Sequence, residues 1–313
     1  MLSQNLKIVT LLPSATEIVA ALGLADAIVG RSHECDYPAT IKNRPVCTEA
    51  QINSDKPSAE IDDDINNLVK RALSIYQVKT DVLEQLQPTH IVTQDQCDVC
   101  AVNFDVVEKA VANLTNSNPQ IISLQPNMLT EVWADIERVA TILGVESQSV
   151  LKQLQSRVEI CKQKTQEMSE NDRPTVACIE WTDPLMAAGN WIPELVTIAG
   201  GNPLFGALGK HSPYLEWDAL VKADPEVIIV MPCGFDLERT KQETQQMAHH
   251  SQWSSLQAVR QGKVFVTDGN AYFNRPGPRL VDSVEIIAEI LHPDLFTFGY
   301  QGTVWERFEV GNA

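Results

Sequence analysis

Cys97 and Cys100 stand at C-x-x-C spacing in TQDQCDVCAV, beside Asp95 and Asp98. Two thiolates so spaced make half of a tetrahedral zinc site, a thiol–disulfide pair, or part of the wall of a binding site, and spacing alone does not choose among them. For zinc, the further ligands would come from His33, Cys35 or Cys47. A second group of side chains could hold a broad, partly apolar ligand: Trp181, Trp191, Tyr214, Trp217, Tyr272 and Phe273 all fall in or beside expected turns. Trp133 and Trp305 read as packing residues. Covalent chemistry has no such candidates. The chain has no G-x-S-x-G, no H-E-x-x-H, no Walker loop and no G-x-G-x-x-G after a strand, so it reads as a binding protein and not an enzyme. His249 and His250 sit in the polar helix ETQQMAHHSQW and read as a solvated face, while His211 lies beside the Tyr214 turn.

The elements that position these residues read as alternating strands and helices. IVTLL is a strand, and Ser14 to Glu17 after it reads as a capping box opening a helix that Gly23 ends. AIVGRS is a second strand, followed by the polar loop HECDYPA. DVLEQLQPTHIVT and DALVKADPEVIIV then repeat one pattern, an acid, a short helix broken at Pro88 or Pro225, and a buried parallel strand. Asp81 and Asp218 are the expected N-caps. Between the repeats, MLTEVWADIERVATILG is helical by periodicity, and residues 147–169 form a helical strut of about 33 Å. TVACIEW and KVFVTDG are later strands, and PRLVDSVEIIAEILH is the last helix.

The expected fold is α/β, with two Rossmann-like lobes joined by a long helix. Residues 1–127 form the N-terminal lobe, 128–172 the linking helices, and 173–313 the C-terminal lobe with its tail. Ligands of such sheets sit beyond the carboxyl ends of the strands, and the cleft between two lobes is the default site. The strand ends deliver Pro13 and Ser14, the run His33 to Asp36, Asp95 to Cys100, Glu180 to Asp183, Pro232 and Cys233, and Tyr272 to Arg275.

Composition narrows the partners. With 41 acidic against 24 basic residues the net charge is -17, which argues against nucleic acid and anionic membranes. No apolar run reaches the roughly 20 residues of a membrane span. Seven cysteines leave at least one without an intrachain partner and favour a reducing compartment. The opening residues carry no export signal, so a cytoplasmic location is expected, or a periplasmic one if the start is trimmed. A monomer is expected.

The strings LLPSATEIVAALG, DYP, QPTHIVTQ, DPEVIIVMP and FNRPGPRLVDSVEIIAEILHP resemble the cobalamin-binding subfamily of the periplasmic binding proteins, those with a rigid inter-lobe helix that serve ABC importers of cobalamin and iron-siderophore complexes. The resemblance runs from about Lys7 to Pro293. It implies a corrinoid held flat between the lobes, with ligand contacts on Pro13, Ser14, Asp36, Tyr37, Trp181, Tyr214, Tyr272, Phe273, Asn274 and Arg275. Cys97, Asp98 and Cys100 join this set, the two cysteines as reduced thiols at the cleft mouth. It also implies that Asp81 and Asp218 dock on the membrane subunits of an importer, the alternative to their being helix caps alone. Residues Glu49 to Gln77 are longer than the matching stretch of the family. The alternative function is a metal-binding protein, for zinc or an iron chelate, using Cys97 and Cys100 with His33 or Cys35.

Overall fold

The computed structural model of the chain describes residues 6–70, 75–95 and 104–309. It divides into two compact units, one of Met1–Lys56, Glu60–Pro126 and Thr130–Lys152, the other of Pro57–Ala59, Asn127–Leu129 and Gln153–Ala313.

The first unit is built on a four-stranded parallel sheet of order β2-β1-β5-β6, with β1 Ile8–Thr10, β2 Ile28–Arg31, β5 His90–Gln94 and β6 Gln120–Leu124. β5 is buried at all five positions, as a parallel strand with neighbours on both edges and layers on both faces must be. Its helices are α1 Pro13–Val19, α3 Thr80–Leu86, α4 Phe104–Ala112 and α5 Leu129–Leu143. In a side excursion β3 Thr48–Ala50 and β4 Tyr76–Val78 pair antiparallel, with α2 Ser58–Lys70 between them in the chain. Val9, Leu11, Cys47, Val78, Leu83 and Ile91 share one core cluster, so the excursion's foot is packed into the lobe.

Helix α6, Gln148–Thr165, carries the chain across the division between the units. It is four residues shorter at its end than the expected strut, or about 27 Å long, because the chain turns at Gln166–Met168 before the 3₁₀ turn Glu170–Asp172.

The second unit has a six-stranded sheet. β11 Val264–Thr267, β10 Val227–Val230, β7 Thr175–Thr182 and β9 Asn202–Leu204 run parallel, while β8 Leu185–Ala187 and β12 Trp305–Arg307 are antiparallel additions. Its helices are α7 Ile192–Ile198, α8 Trp217–Ala223, α9 Leu237–Met247, α10 Gln257–Arg260 and α11 Leu280–Leu291.

The repeated pattern is real in three dimensions. α3 and α8 each have seven residues, and each ends on a left-handed residue, Gln87 (φ 50°) and Asp224 (φ 41°), directly before a proline. A residue before proline is excluded from the helical region, so the left-handed cap is the way out, and its N–H still reaches the carbonyl of Leu83 or Leu220 at 3.0 Å.

Two capping expectations need correction. Pro13 occupies the first position of α1, where its missing N–H costs nothing. This moves the N-cap to Leu12, which makes no side-chain bond, and puts Ser14 inside the first turn. In the same way Lys79 and Glu216 are the N-caps of α3 and α8, so Asp81 and Asp218 sit one residue into each helix. There their charges meet the positive end of the helix dipole instead of capping an amide. Gly23 does end its helix, at φ 80°.

Candidate ligand-binding site

In an open parallel sheet, ligands bind where the strand order reverses. In the first unit that point lies between β1 and β5, at Leu11 to Ser14 and at Gln94 and Asp95. Ser14 is buried, and its hydroxyl has no hydrogen-bond partner among the described residues. Asp95 accepts from Gln125 Nε2 at 3.0 Å. Cys97, Asp98 and Cys100 lie outside the described residues.

The loop after β2 brings Asp36, partly buried, and Tyr37, 50% exposed, to the same edge of the sheet. Cys35 beneath them is buried and accepts the Thr16 hydroxyl at 3.0 Å. His33 is held by Thr48, whose Oγ1 lies 2.8 Å from its Nδ1 and takes its backbone N–H at 3.1 Å. Tyr76 of β4 packs its ring on His33 with centroids 5.4 Å apart and donates to Glu34 at 3.1 Å. Burial, with Lys79 and Arg31 nearby, pushes the His33 imidazole below its ordinary value, so it is neutral near pH 7. Cys47 is wholly buried and its thiol is pushed up to about 12, which leaves it protonated and inert. Among the described residues no three His, Cys, Asp or Glu side chains are arranged to hold a free metal ion.

In the second unit the order reverses between β7 and β10. β7 turns back into β8 through Asp183 and Pro184, which places Trp181 opposite Met186; Met186 in turn pairs with Tyr214. Directly opposed residues of antiparallel strands project from one face, so Trp181, Met186 and Tyr214 form a continuous row. The Tyr214 segment is fixed by Ala187 N–H to Pro213 O (3.0 Å) and Leu215 N–H to Leu185 O (2.8 Å). The Ser212 hydroxyl adds to this by donating to Glu180 at 2.8 Å and accepting from Gly189 N–H at 3.0 Å. Yet the Tyr214 side chain is 60% exposed. Trp181 continues the row onto Phe235, 5.1 Å away, and the Arg239 guanidinium covers the Phe235 ring at 4.8 Å. The Trp181 indole donates to Ser58 O at 3.3 Å, and the Ser58 and Thr182 hydroxyls converge on Glu243.

The segment Tyr272 to Arg275 divides differently. Only Tyr272 presents a partly open ring, stacked by Arg279 at 5.3 Å. Phe273 has 0% exposure, and its carbonyl accepts the Trp191 indole at 2.8 Å. Asn274 donates to Met231 O and Gly269 O at 3.0 and 2.9 Å, and Arg275 is buried on Asn270 at 3.0 Å. These three side chains brace the loop. Trp191 is likewise core, and Trp217 is covered by the His250 ring at 3.9 Å. Sequence reasoning passed over Met186, Phe235, Arg239 and Tyr76. The Asp-Pro dipeptide after TVACIEW signals the turn that brings Met186 into line.

The family model described as periplasmic binding protein matches residues 8–271. The chain belongs to the periplasmic binding protein family. The family's name places its members outside the cytoplasm, so the cytoplasmic location expected from the opening residues has no support. This periplasmic binding protein is 24% identical over 297 residues to the uncharacterized ABC transporter substrate-binding lipoprotein YvrC of Bacillus subtilis (strain 168), covering 93% of this chain and 81% of that one. Among solved structures it resembles the periplasmic vitamin B12 binding protein of Vibrio cholerae, with a TM-score of 0.62, 19% identity and 91% and 95% of the two chains covered. It also resembles a periplasmic heme-binding protein from Pseudomonas aeruginosa, with a TM-score of 0.72, 14% identity and 98% and 99% covered. At such identities the likeness is one of fold. No described helix is long and apolar enough to cross a membrane.

Proposed function

We propose that the chain is the substrate-binding component of an ABC importer, working outside the cytoplasm, and that its ligand is cobalamin or a related corrinoid. Family membership supports the first part, and the names of the Bacillus and Vibrio relatives point the same way. The observation that carries the ligand class is the row of Trp181, Met186 and Tyr214. Its backbone is pinned by hydrogen bonds while the Tyr214 ring stands open to solvent. A rigid, exposed aromatic ledge suits a flat ligand of large apolar area, because little ordering entropy opposes binding. Pro13, Ser14, Asp36, Tyr37, Cys97, Asp98, Cys100 and Tyr272 are the further proposed contacts. Phe273, Asn274 and Arg275 serve the site by fixing Tyr272. No bond is made or broken. Asp81 and Asp218 are the proposed docking acids for the importer's membrane subunits.

The test is co-migration on gel filtration after mixing the protein with cobalamin, cobinamide, hemin or a ferric siderophore. Corrinoid colour travelling with the protein supports the reading. Colour retained only from hemin or the siderophore replaces the corrinoid with that ligand, and none retained rejects the ligand class.

A further inference from the structure

The aromatic row of the second unit is fringed by charge. Carboxylates stand along it at Glu180 beside Trp181, at Asp183 in the turn from β7 to β8, at Asp236 beside Phe235, and at Glu243 in α9. Arg239 is the guanidinium among them. Glu243 balances it: Oε1 accepts from Nε at 2.9 Å and lies 2.8 Å from a terminal nitrogen of the same fork. The other Glu243 oxygen accepts the hydroxyls of Ser58 at 2.9 Å and Thr182 at 3.3 Å. Ser58 O takes the Trp181 indole, Trp181 packs on Phe235, and Phe235 lies under Arg239, so the ion pair and the row close into one ring of contacts. The pair is fixed there with its side chains 26% and 10% exposed. Glu180 accepts from the Ser212 hydroxyl at 2.8 Å, and Asp236 from the Arg239 backbone N–H at 2.8 Å. Those two donors are neutral groups, which orient a carboxylate without cancelling its charge.

A carboxylate accepts hydrogen bonds and cannot donate them, and a guanidinium does the reverse. A primary carboxamide does both, its NH2 serving the carboxylates and its oxygen serving Arg239. A ring fringed with carboxylates instead sets like charge against Glu180, Asp183 and Asp236, while the Arg239 charge is already balanced by Glu243. The net charge of -17 adds to that repulsion at longer range. Resting on the reading of this row as the platform for a flat metallated ring, we propose that it selects a ring whose rim carries neutral carboxamides and rejects one whose rim carries carboxylates. Glu243 sets the choice by holding the Arg239 charge balanced. Corrinoids such as cobalamin are rings of the first kind, and hemes, with their propionates, are rings of the second.

The experiment titrates the protein calorimetrically with two forms of one ring: dicyanocobinamide, whose side chains are amides, and dicyanocobyrinic acid, in which carboxylates replace them. Hemin is the third ligand. Each titration is run at about 10 mM and at about 1 M salt, between which the Debye length falls from about 30 Å to about 3 Å. At low salt the unmodified protein should bind the amide form about 100-fold more tightly than the acid, and high salt should shrink that ratio. Glu243→Gln, which leaves the Arg239 charge unbalanced, should narrow the low-salt ratio about tenfold, and Arg239→Gln should widen it by about as much. Melting curves show which variants fold, and the salt series on the unmodified protein carries the test if neither does. Equal affinity for the two corrins, or a ratio indifferent to salt, overturns the selection and leaves the corrinoid reading standing. A ratio unmoved in folded Glu243→Gln overturns the part given to that residue. Binding of hemin with neither corrin overturns the selection and the corrinoid together, and binding of no ring overturns the flat-ring platform with them.

Discussion

Tyr214→Ala is the sharpest probe of the aromatic ledge, because its expected cost falls on binding and not on folding. The side chain is 60% exposed. A large aromatic offers roughly 150 to 250 Å², so about 120 Å² is open to a ligand. Covering all of it would contribute about 3 kcal/mol at 25 cal/mol per Å². A flat ligand covers one face, which halves this to about 1.5 kcal/mol, or about tenfold in Kd. The exposed ring contributes little to folding, so the melting temperature should move by no more than about a degree. Phe273→Ala makes the contrast. That ring has 0% exposure, and its removal should cost about 3 to 5 kcal/mol of stability through the cavity it leaves. Calorimetric titration with cobalamin beside thermal unfolding measures both quantities. Unchanged affinity in Tyr214→Ala, or a large fall in its melting temperature, would refute the assignment of this ring to the ligand.

Three further outcomes follow from the same structure. Glu289 on α11 accepts four N–H groups, from Phe298, Gly299, Tyr300 and the Trp305 indole, at 2.8 to 3.1 Å. Glu289→Gln sets an amide against two of these donors, so it should cost about 3 to 6 kcal/mol and open residues 298–305 to protease; an unchanged denaturation midpoint would show that this carboxylate does not hold the tail. His33, His90 and His292 are each held below their ordinary value, chiefly by burial. In the unfolded chain they take up protons near pH 6.5 while the folded chain resists, so stability should be complete above that pH and fall as pH drops below it; a flat stability from pH 7 to 5 contradicts this. Asp81→Asn with Asp218→Asn should leave the melting temperature and ligand affinity nearly unchanged while weakening a salt-sensitive association with importer membrane subunits, and equal association of the double variant would remove the docking role.

The alternation of buried strands and helices was legible because parallel strands, covered on both faces, read as unbroken apolar runs; IVT, HIVT and VIIV all became strands. The repeat of α3–β5 in α8–β10 was legible from Pro88 and Pro225, since a proline constrains its predecessor whatever the tertiary context. Helix starts were not. Pro13 at the first helical position mimics neither a cap nor a break, and a serine or aspartate one residue into a helix looks like a cap in sequence. β6, β8, β9 and β12 were missed because a strand of three to five residues carries no clear period until a neighbour pairs with it. For the site, the aromatics were visible as residue types, but burial divides them. Tyr214 and Tyr272 remain open, whereas Phe273 and Trp191 are consumed by the core they brace. The setting of His33 depends on Thr48 and Tyr76, which pairing of β3 with β4 brings back across an excursion of about 30 residues. No local pattern encodes it.

The measurement that bears most directly on the central claim is calorimetric titration of the purified protein with cobalamin. Saturable heat at a single equivalent per chain, weakened by Tyr214→Ala, is the result expected. No heat with cobalamin or cobinamide from a protein whose melting curve shows it folded would contradict the claim.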